Sequence, residues 1–238
     1  MNTGTTRKFS LTILCFLMVF MLSAVINAQE KKEEQVPANV AKELENIKQY
    51  YQKAGNFKVD FTQIYHSRIT KRTKESSGQV DFAKPMKMRW EYQKPERKSF
   101  ITNGKSLWVA TWENKEVKVH KDLKSSDLES SLAFLWGGEN LALKYKVAKL
   151  MLPNVEGIVD VKNRLLLELI PREKSQFDTL YLLVNSETFR IEEVVLVDLI
   201  GNLNHITFTS PQTAQKFPKG HFVFTMPAKD WVETRMDF

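Results

Sequence analysis

The chain has 238 residues, a formal net charge of +7 and a single cysteine, Cys15. One cysteine excludes an internal disulfide, and a modest, dispersed basic surplus does not mark a nucleic-acid binder. Beyond the N-terminal segment about 210 residues remain, without a Gly/Ser or Pro-rich linker or an internal repeat, which predicts one β-rich domain.

The first 28 residues read as a cleaved signal peptide. Arg7 and Lys8 precede the apolar run "LTILCFLMVFMLSAV", and Ile26 and Ala28 occupy the small-residue cleavage positions before Gln29. The run is too short and wrongly flanked for a membrane span; an uncleaved anchor is the alternative. Thr12, Ile13 and Leu14 before Cys15 do not form a lipoprotein signal, so no lipid anchor is expected and Cys15 leaves with the signal. The remaining chain then carries no thiol, and a net charge of about +5, because Arg7 and Lys8 are the only charges removed.

Residues 29–37 form a charged leader and 38–238 the folded domain. Pro37 opens a helix whose apolar side is Val40, Leu44, Ile47 and Tyr51, with Gly55 as its stop. From Phe57 the period becomes two, in "FKVDFTQIY" with Phe57, Val59, Phe61 and Tyr65 on one side. The basic stretch "HSRITKRTK" (66–74) reads as a solvated loop; attraction to an acidic partner or a membrane surface is the functional alternative. "GQVDF" follows, then a break at Lys84-Pro85 and the alternating "KPMKMRWEY".

"KSFIT" and "KSLWVATW" flank Asn103-Gly104, a strong hairpin signal, and "EVKVH" adds a strand. "SSDLESSLAFLWGG" offers Ser126 and Glu129 as a capping box and Gly137-Gly138 as a stop, so a short helix is expected there. "LKYKV", "GIVDV", "RLLLELIP", "TLYLLVN", "RIEEVVLVD", "HITFT" and "HFVFTMP" complete about ten strands with two or three helices. Short links favour an antiparallel meander, and so long a sheet curls toward a barrel or half-barrel with the helices on one face. The fold class is α+β.

The four histidines show no metal-ligand spacing, and no nucleophile elbow, phosphate loop or dinucleotide fingerprint is present. No cofactor, metal or enzymatic activity is expected. In "KPMKMRWEY", parity puts Met86, Met88, Trp90 and Tyr92 on one face and Lys87, Arg89 and Glu91 on the other. Such a face fills a core or lines a cavity for a flexible apolar guest.

"GQVDFAKPMKMRWEY" (78–92) closely resembles the signature of the LolA family of periplasmic lipoprotein carriers. "FKVDFTQ" (57–63), "TNGKSLW" (102–108), "DLIGNLNHITF" (198–208) and "FVFTMP" (222–227) are similar to further family segments in the same order, together covering most of residues 38–228. The resemblance implies an incomplete, half-open antiparallel barrel with a helical lid over a hydrophobic cavity. It implies a periplasmic carrier, exported in a Gram-negative bacterium, with acylated lipoproteins as cargo. An inner-membrane releasing ABC transporter would be the donor and an outer-membrane lipoprotein acceptor the recipient. A monomer with no cofactor and no nucleic-acid partner is expected.

By parity and resemblance, Met86, Met88, Trp90 and Tyr92 are assigned to the cavity side, with Met88 at its mouth. Phe61, Phe82, Leu107, Phe208 and Phe224 join them, unless these residues only pack against the lid. Lys84 stands where the family often has an arginine that ties lid to barrel; a lysine lacks the planar five-donor fork, so the tie differs here. "PAKDWVETR" replaces the usual ending after the last strand. A general carrier of lipids or hydrophobic compounds, or a lipoprotein-sensing regulator, is the alternative on the same scaffold.

Overall fold

The structure, a computed structural model, describes residues 38–123, 141–150 and 164–235. The signal peptide and leader, the helix expected within 125–138 and the strand expected at 157–161 lie outside the described residues.

Helix α1 spans Ala38–Ala54. It buries Val40, Ile47 and Tyr51, close to one face at helical spacing, with Leu44 partly buried beside them. Gly55 follows at φ 66°, a left-handed conformation that costs glycine nothing and stops the helix.

Twelve strands form one sheet: β1 Phe57–His66, β2 Thr73–Ala83, β3 Lys87–Lys94, β4 Lys98–Thr102, β5 Ser106–Thr111, β6 Glu116–Lys121, β7 Tyr145–Leu150, β8 Arg164–Pro171, β9 Phe177–Asn185, β10 Ile191–Asp198, β11 Leu203–Gln212 and β12 Val232–Arg235. A one-turn helix α2, Leu141–Lys144, leads into β7, so the first half of "LKYKV" is helical. The sheet order is β12-β6-β5-β4-β3-β2-β1-β11-β10-β9-β8-β7. One meander runs outward from β1 to β6. The other runs inward from β7 to β11, and β1 pairs with β11 to join them. All pairings among the described residues are antiparallel except β12 beside β6. Among the described residues the sheet is not closed, and β12 and β7 are its edges.

Two expectations require correction. Among the described residues the strand count is twelve rather than about ten. "HFVFTMP" is not a strand: residues 213–231 form an irregular strap across the outer face of the β1–β6 half. Phe224 is buried against the outer-face cluster and Phe222 against Phe217 and His221 of the strap itself, neither of them by strand pairing. Pro218 and Pro227 each remove a backbone donor that a ladder would need.

The inner face, under α1, carries the largest apolar cluster: Val59, Phe61, Val80, Phe82 and Trp90 from the first meander, and Leu167, Leu182, Val194 and Phe208 from the second. The outer face holds two smaller clusters. Ile101, Ala110, Val117, Val119 and Phe224 form one, and Leu166, Leu183 and Val195 the other. Strands β8 and β9 are buried on both faces, which their near-continuous leucine runs require.

Candidate ligand-binding face

The inner face is built row by row from strand registers. Phe57 opposes Phe82, Phe82 opposes Met88, Met88 opposes Thr102 and Thr102 opposes Leu107. The next row runs Val59, Val80, Trp90, Phe100, Val109. The third runs Phe208, Phe61, Gly78, Tyr92.

Gly78 explains the third row. A Cβ there would fall 1.9 Å from the backbone oxygen of Glu91, at an irregularity in the β2–β3 pairing, so only glycine fits. Over that bare position the Phe61 and Tyr92 rings meet edge to face, 5.0 Å apart, while Phe61 also lies 4.8 Å from Trp90. Phe57 stacks on Phe82 at 4.8 Å. The result is a continuous aromatic wall across β1, β2, β3 and β11. Phe61, Phe82, Trp90 and Phe208 are buried in it; Met88, Tyr92 and Phe100 are partly exposed at its margin.

At its far end the wall turns polar. The Tyr92 hydroxyl donates to Gln63 Oε1 at 2.6 Å, and Gln63 Nε2 donates to Asn204 Oδ1 at 2.8 Å. Burial pushes the Tyr92 hydroxyl up to about 12, opposed by its hydrogen bonds with Gln63 and Trp90.

The near end meets α1. Lys84 Nζ donates to the carbonyl oxygens of Tyr51, at 2.9 Å, and Gln52, at 3.5 Å, in the last turn of the helix. An ammonium there answers both the unpaired carbonyls and the negative end of the helix dipole. Burial lowers the Lys84 ammonium below its ordinary value. Asn56 accepts from the Lys84 backbone N–H at 3.2 Å. Tyr51 anchors the helix from below, its hydroxyl accepting from the Ile191 N–H at 3.3 Å. Beside this junction a narrow cleft opens between α1 and strands β1, β10 and β11, lined by Tyr50, Tyr51, Phe57, Arg190, Phe208 and Pro211 among others.

Most of the sequence-derived residues therefore share one face, but not all. Met86 lies in the turn before β3 at φ 51°, outside the strand whose parity was used to place it. Phe224 is on the opposite face, where its ring lies 6.3 Å from Trp112 and 5.4 Å from Trp231. The reason is the strap, which brings it to the sheet from outside. Leu107 is in register with Met88 across Thr102 and partly buried. The cleft's Arg190 and Pro211 come from distant loops and strand ends, and no local pattern marks them; Tyr50 and Tyr51 were legible only as helix residues. Among the described residues no group of acids, histidines or cysteines could hold a metal, and no helix is long and apolar enough to cross a membrane.

These features define a class: an open antiparallel sheet whose apolar inner face is partly covered by a helix. Residues 52–225 match the family model described as outer membrane lipoprotein carrier protein LolA, and the chain belongs to the LolA family. It is 25% identical over 187 residues to the outer-membrane lipoprotein carrier protein of Nitrosomonas europaea, covering 79% of this chain and 86% of that one. It is 28% identical over 167 residues to the protein of the same description from Chromobacterium violaceum, covering 68% and 75%. An uncharacterized conserved protein from Thermus thermophilus shares the fold, with a TM-score of 0.51 at 12% identity, covering 83% of this chain and 99% of that one.

Proposed function

We propose that the chain binds the acyl chains of lipoproteins released from the inner membrane and carries them through the periplasm to an outer-membrane acceptor. The observation that carries this reading is the aromatic wall on the inner face, with Met88 and Tyr92 at its partly exposed margin and α1 held against it by Lys84. Family membership supports the same reading.

In this reading the sheet acts as a half-open barrel and α1 belongs to its lid. Residues 1–28 are the export signal, 29–37 a leader and 38–238 the carrier domain. An ABC transporter supplies the cargo, and no cofactor or bond chemistry takes part. Phe61, Phe82, Trp90, Tyr92, Leu107 and Phe208 form the wall of the cavity and Met88 stands at its mouth. Met86 sits at the rim turn, and Phe224 serves the outer face instead.

The physics matches the residues. Each exposed CH₂ costs about 0.8 kcal/mol, so an acyl chain of about sixteen carbons leaves on the order of 12 kcal/mol unshielded in water. Aromatic rings cover such a chain with large apolar area at little entropic cost, and the unbranched methionine adapts to it. None of these contacts is directional, so a receptor can compete for the guest.

The test is release of labelled lipoproteins from spheroplasts of the source bacterium into the supernatant. Energy-dependent release bound to the chain is expected, and its loss in Met88→Glu with an unchanged melting curve. A folded chain that releases nothing, beside a working family control, would overturn the lipoprotein reading in favour of another hydrophobic ligand.

A further inference from the structure

At one end of the central strands two hairpin tips lie side by side. The β1–β2 tip is residues 67–72 and the β10–β11 tip residues 199–202. Arg68 joins them: its backbone N–H donates to Asn202 Oδ1 at 3.0 Å, and its guanidinium reaches the Ile200 carbonyl oxygen at 3.5 Å. Gly201, at φ 83°, has no Cβ where the Arg68 side chain lies; one placed there would come within 2.8 Å of Arg68 Cδ.

Each tip is closed on itself. Ser67 and Arg72 bond through their backbones at 2.9 Å, and the Asp198 carboxylate accepts from the N–H groups of Ile200 and Asn202 at 3.0 and 2.9 Å. Most backbone N–H groups of the two tips thus have a partner within or between the tips.

Their side chains do not follow the usual surface pattern. Ile69 is 75% exposed, Leu199 66% and Ile200 55%, with Ile64 and Tyr65 exposed just behind them. Five of the ten large exposed hydrophobics among the described residues thus gather at this one end. Singly scattered apolar residues need no explanation, but a gathering does. Around it stand Arg68, Lys71, Arg72 and Lys74, all exposed. The acids nearby are few. Asp198 is held by its own turn, Glu75 faces outward on β2, and Glu96 approaches Lys74 at 4.0 Å.

We infer that the two tips form a docking surface for an anionic phospholipid bilayer. Ile69, Leu199 and Ile200 enter the interfacial region, and Arg68, Lys71, Arg72 and Lys74 meet the headgroup phosphates. The shape favours a bilayer over a folded partner: the aliphatic side chains project from convex tips, which a deformable surface can receive. The crest carries aliphatic side chains, and the aromatic Tyr65 lies behind it rather than at its centre. Long basic side chains let their stems follow the apolar tips while their charges stay at headgroup level. This goes beyond the cargo reading and does not rest on it, since no lipoprotein is involved.

The experiment is flotation of the full chain, as its producing cell processes it, with phosphatidylglycerol/phosphatidylethanolamine vesicles and with pure phosphatidylcholine vesicles. Binding to the anionic vesicles is expected, falling with added salt, and little or none to the neutral ones. The double variant I69E/L199E should bind at least about tenfold more weakly, and K71E/R72E should lose roughly fivefold per cation replaced. V223E/M226E, at exposed apolar positions away from the tips, should bind as the unaltered chain does. All are surface changes, and their melting curves serve as controls. Binding left unchanged by I69E/L199E and by K71E/R72E would overturn the inference. So would failure of the unaltered chain to float with anionic vesicles, which would leave the patch to an acidic protein.

Discussion

Strand β3 separates two chemistries that its neighbours β2 and β4 continue. On its inner side Met88, Trp90 and Tyr92 join an aromatic cluster held by shape and area. On its outer side Arg89 donates to the His221 carbonyl at 2.9 Å and pairs with Glu91 at 2.8 Å, and Ser99 donates to Glu91. The chain of contacts extends both ways. His221 Nε2 lies 2.6 Å from buried Asp81, with Lys58 3.7 Å from the same carboxylate. On the other flank Trp112 Nε1 donates to Ser99 at 2.8 Å beneath the Arg97 guanidinium, 3.3 Å from the ring centroid. Directional bonds fix one geometry, whereas apolar contacts accept several. The directional contacts of the outer side therefore hold one arrangement, and under the proposed carrier reading the inner face can exchange a helix contact for a guest.

The largest effect should come from the centre of the inner wall. Trp90→Ala removes a buried indole that touches Phe61 and Phe208, and such a truncation costs about 4 kcal/mol. Chemical denaturation should show it as a lowered midpoint. An apolar guest that fills the hole should restore part of the loss; no recovery with any bound lipid would place Trp90 in a purely structural role.

The two faces should respond to different degrees to conservative changes. Met88→Leu keeps volume and apolarity and should cost less than about 1.5 kcal/mol. Asp81→Asn keeps shape but removes the charge that His221 and Lys58 face, and should cost about 2 kcal/mol. Thermal melts of the two variants decide the matter. Equal losses would mean that the outer network is no more exacting than the inner wall.

Lys84→Met isolates the junction of helix and sheet. Lost contacts at a helix C-terminus are worth about 1 kcal/mol, so global stability should fall only slightly. Hydrogen exchange should accelerate in α1 while the central strands keep their protection. Uniform acceleration would show that Lys84 supports the whole fold and not the helix alone.

How much of this was legible follows from which patterns are local. The α1 stripe and the Asn103-Gly104 turn were, because each depends on residues within a few positions. Asn103 Oδ1 accepts from the N–H groups of Lys105 and Ser106, and Gly104 takes φ 87°. Alternation was legible too, but not what covers its second face. Asp81, Arg89 and Glu91 look like a solvated side of their strands, and only the returning strap shows that they are covered. The same strap gives Phe222 and Phe224 the periodicity of a strand without its hydrogen bonds. Parity misplaces Met86 for a smaller reason: alternation does not carry through the turn that precedes β3.

The smallest expected effect is electrostatic and lies on the other meander. Hydrogen bonding from His205, 2.6 Å away, and then from Arg164, holds the Glu193 carboxyl below its ordinary value of 4.5 against the opposing effect of burial. A depressed carboxyl contributes its full stability above the unfolded value and loses it as pH falls through the folded one. Loss of this contribution should therefore begin near pH 4.5 and continue below it. The partial exposure of the group screens the interaction, so the contribution is about 1 kcal/mol at most. Glu193→Gln should flatten this part of the acid limb of a stability–pH curve and leave the neutral limb parallel to that of the unaltered chain. An unchanged acid limb would assign the acid sensitivity to other carboxylates.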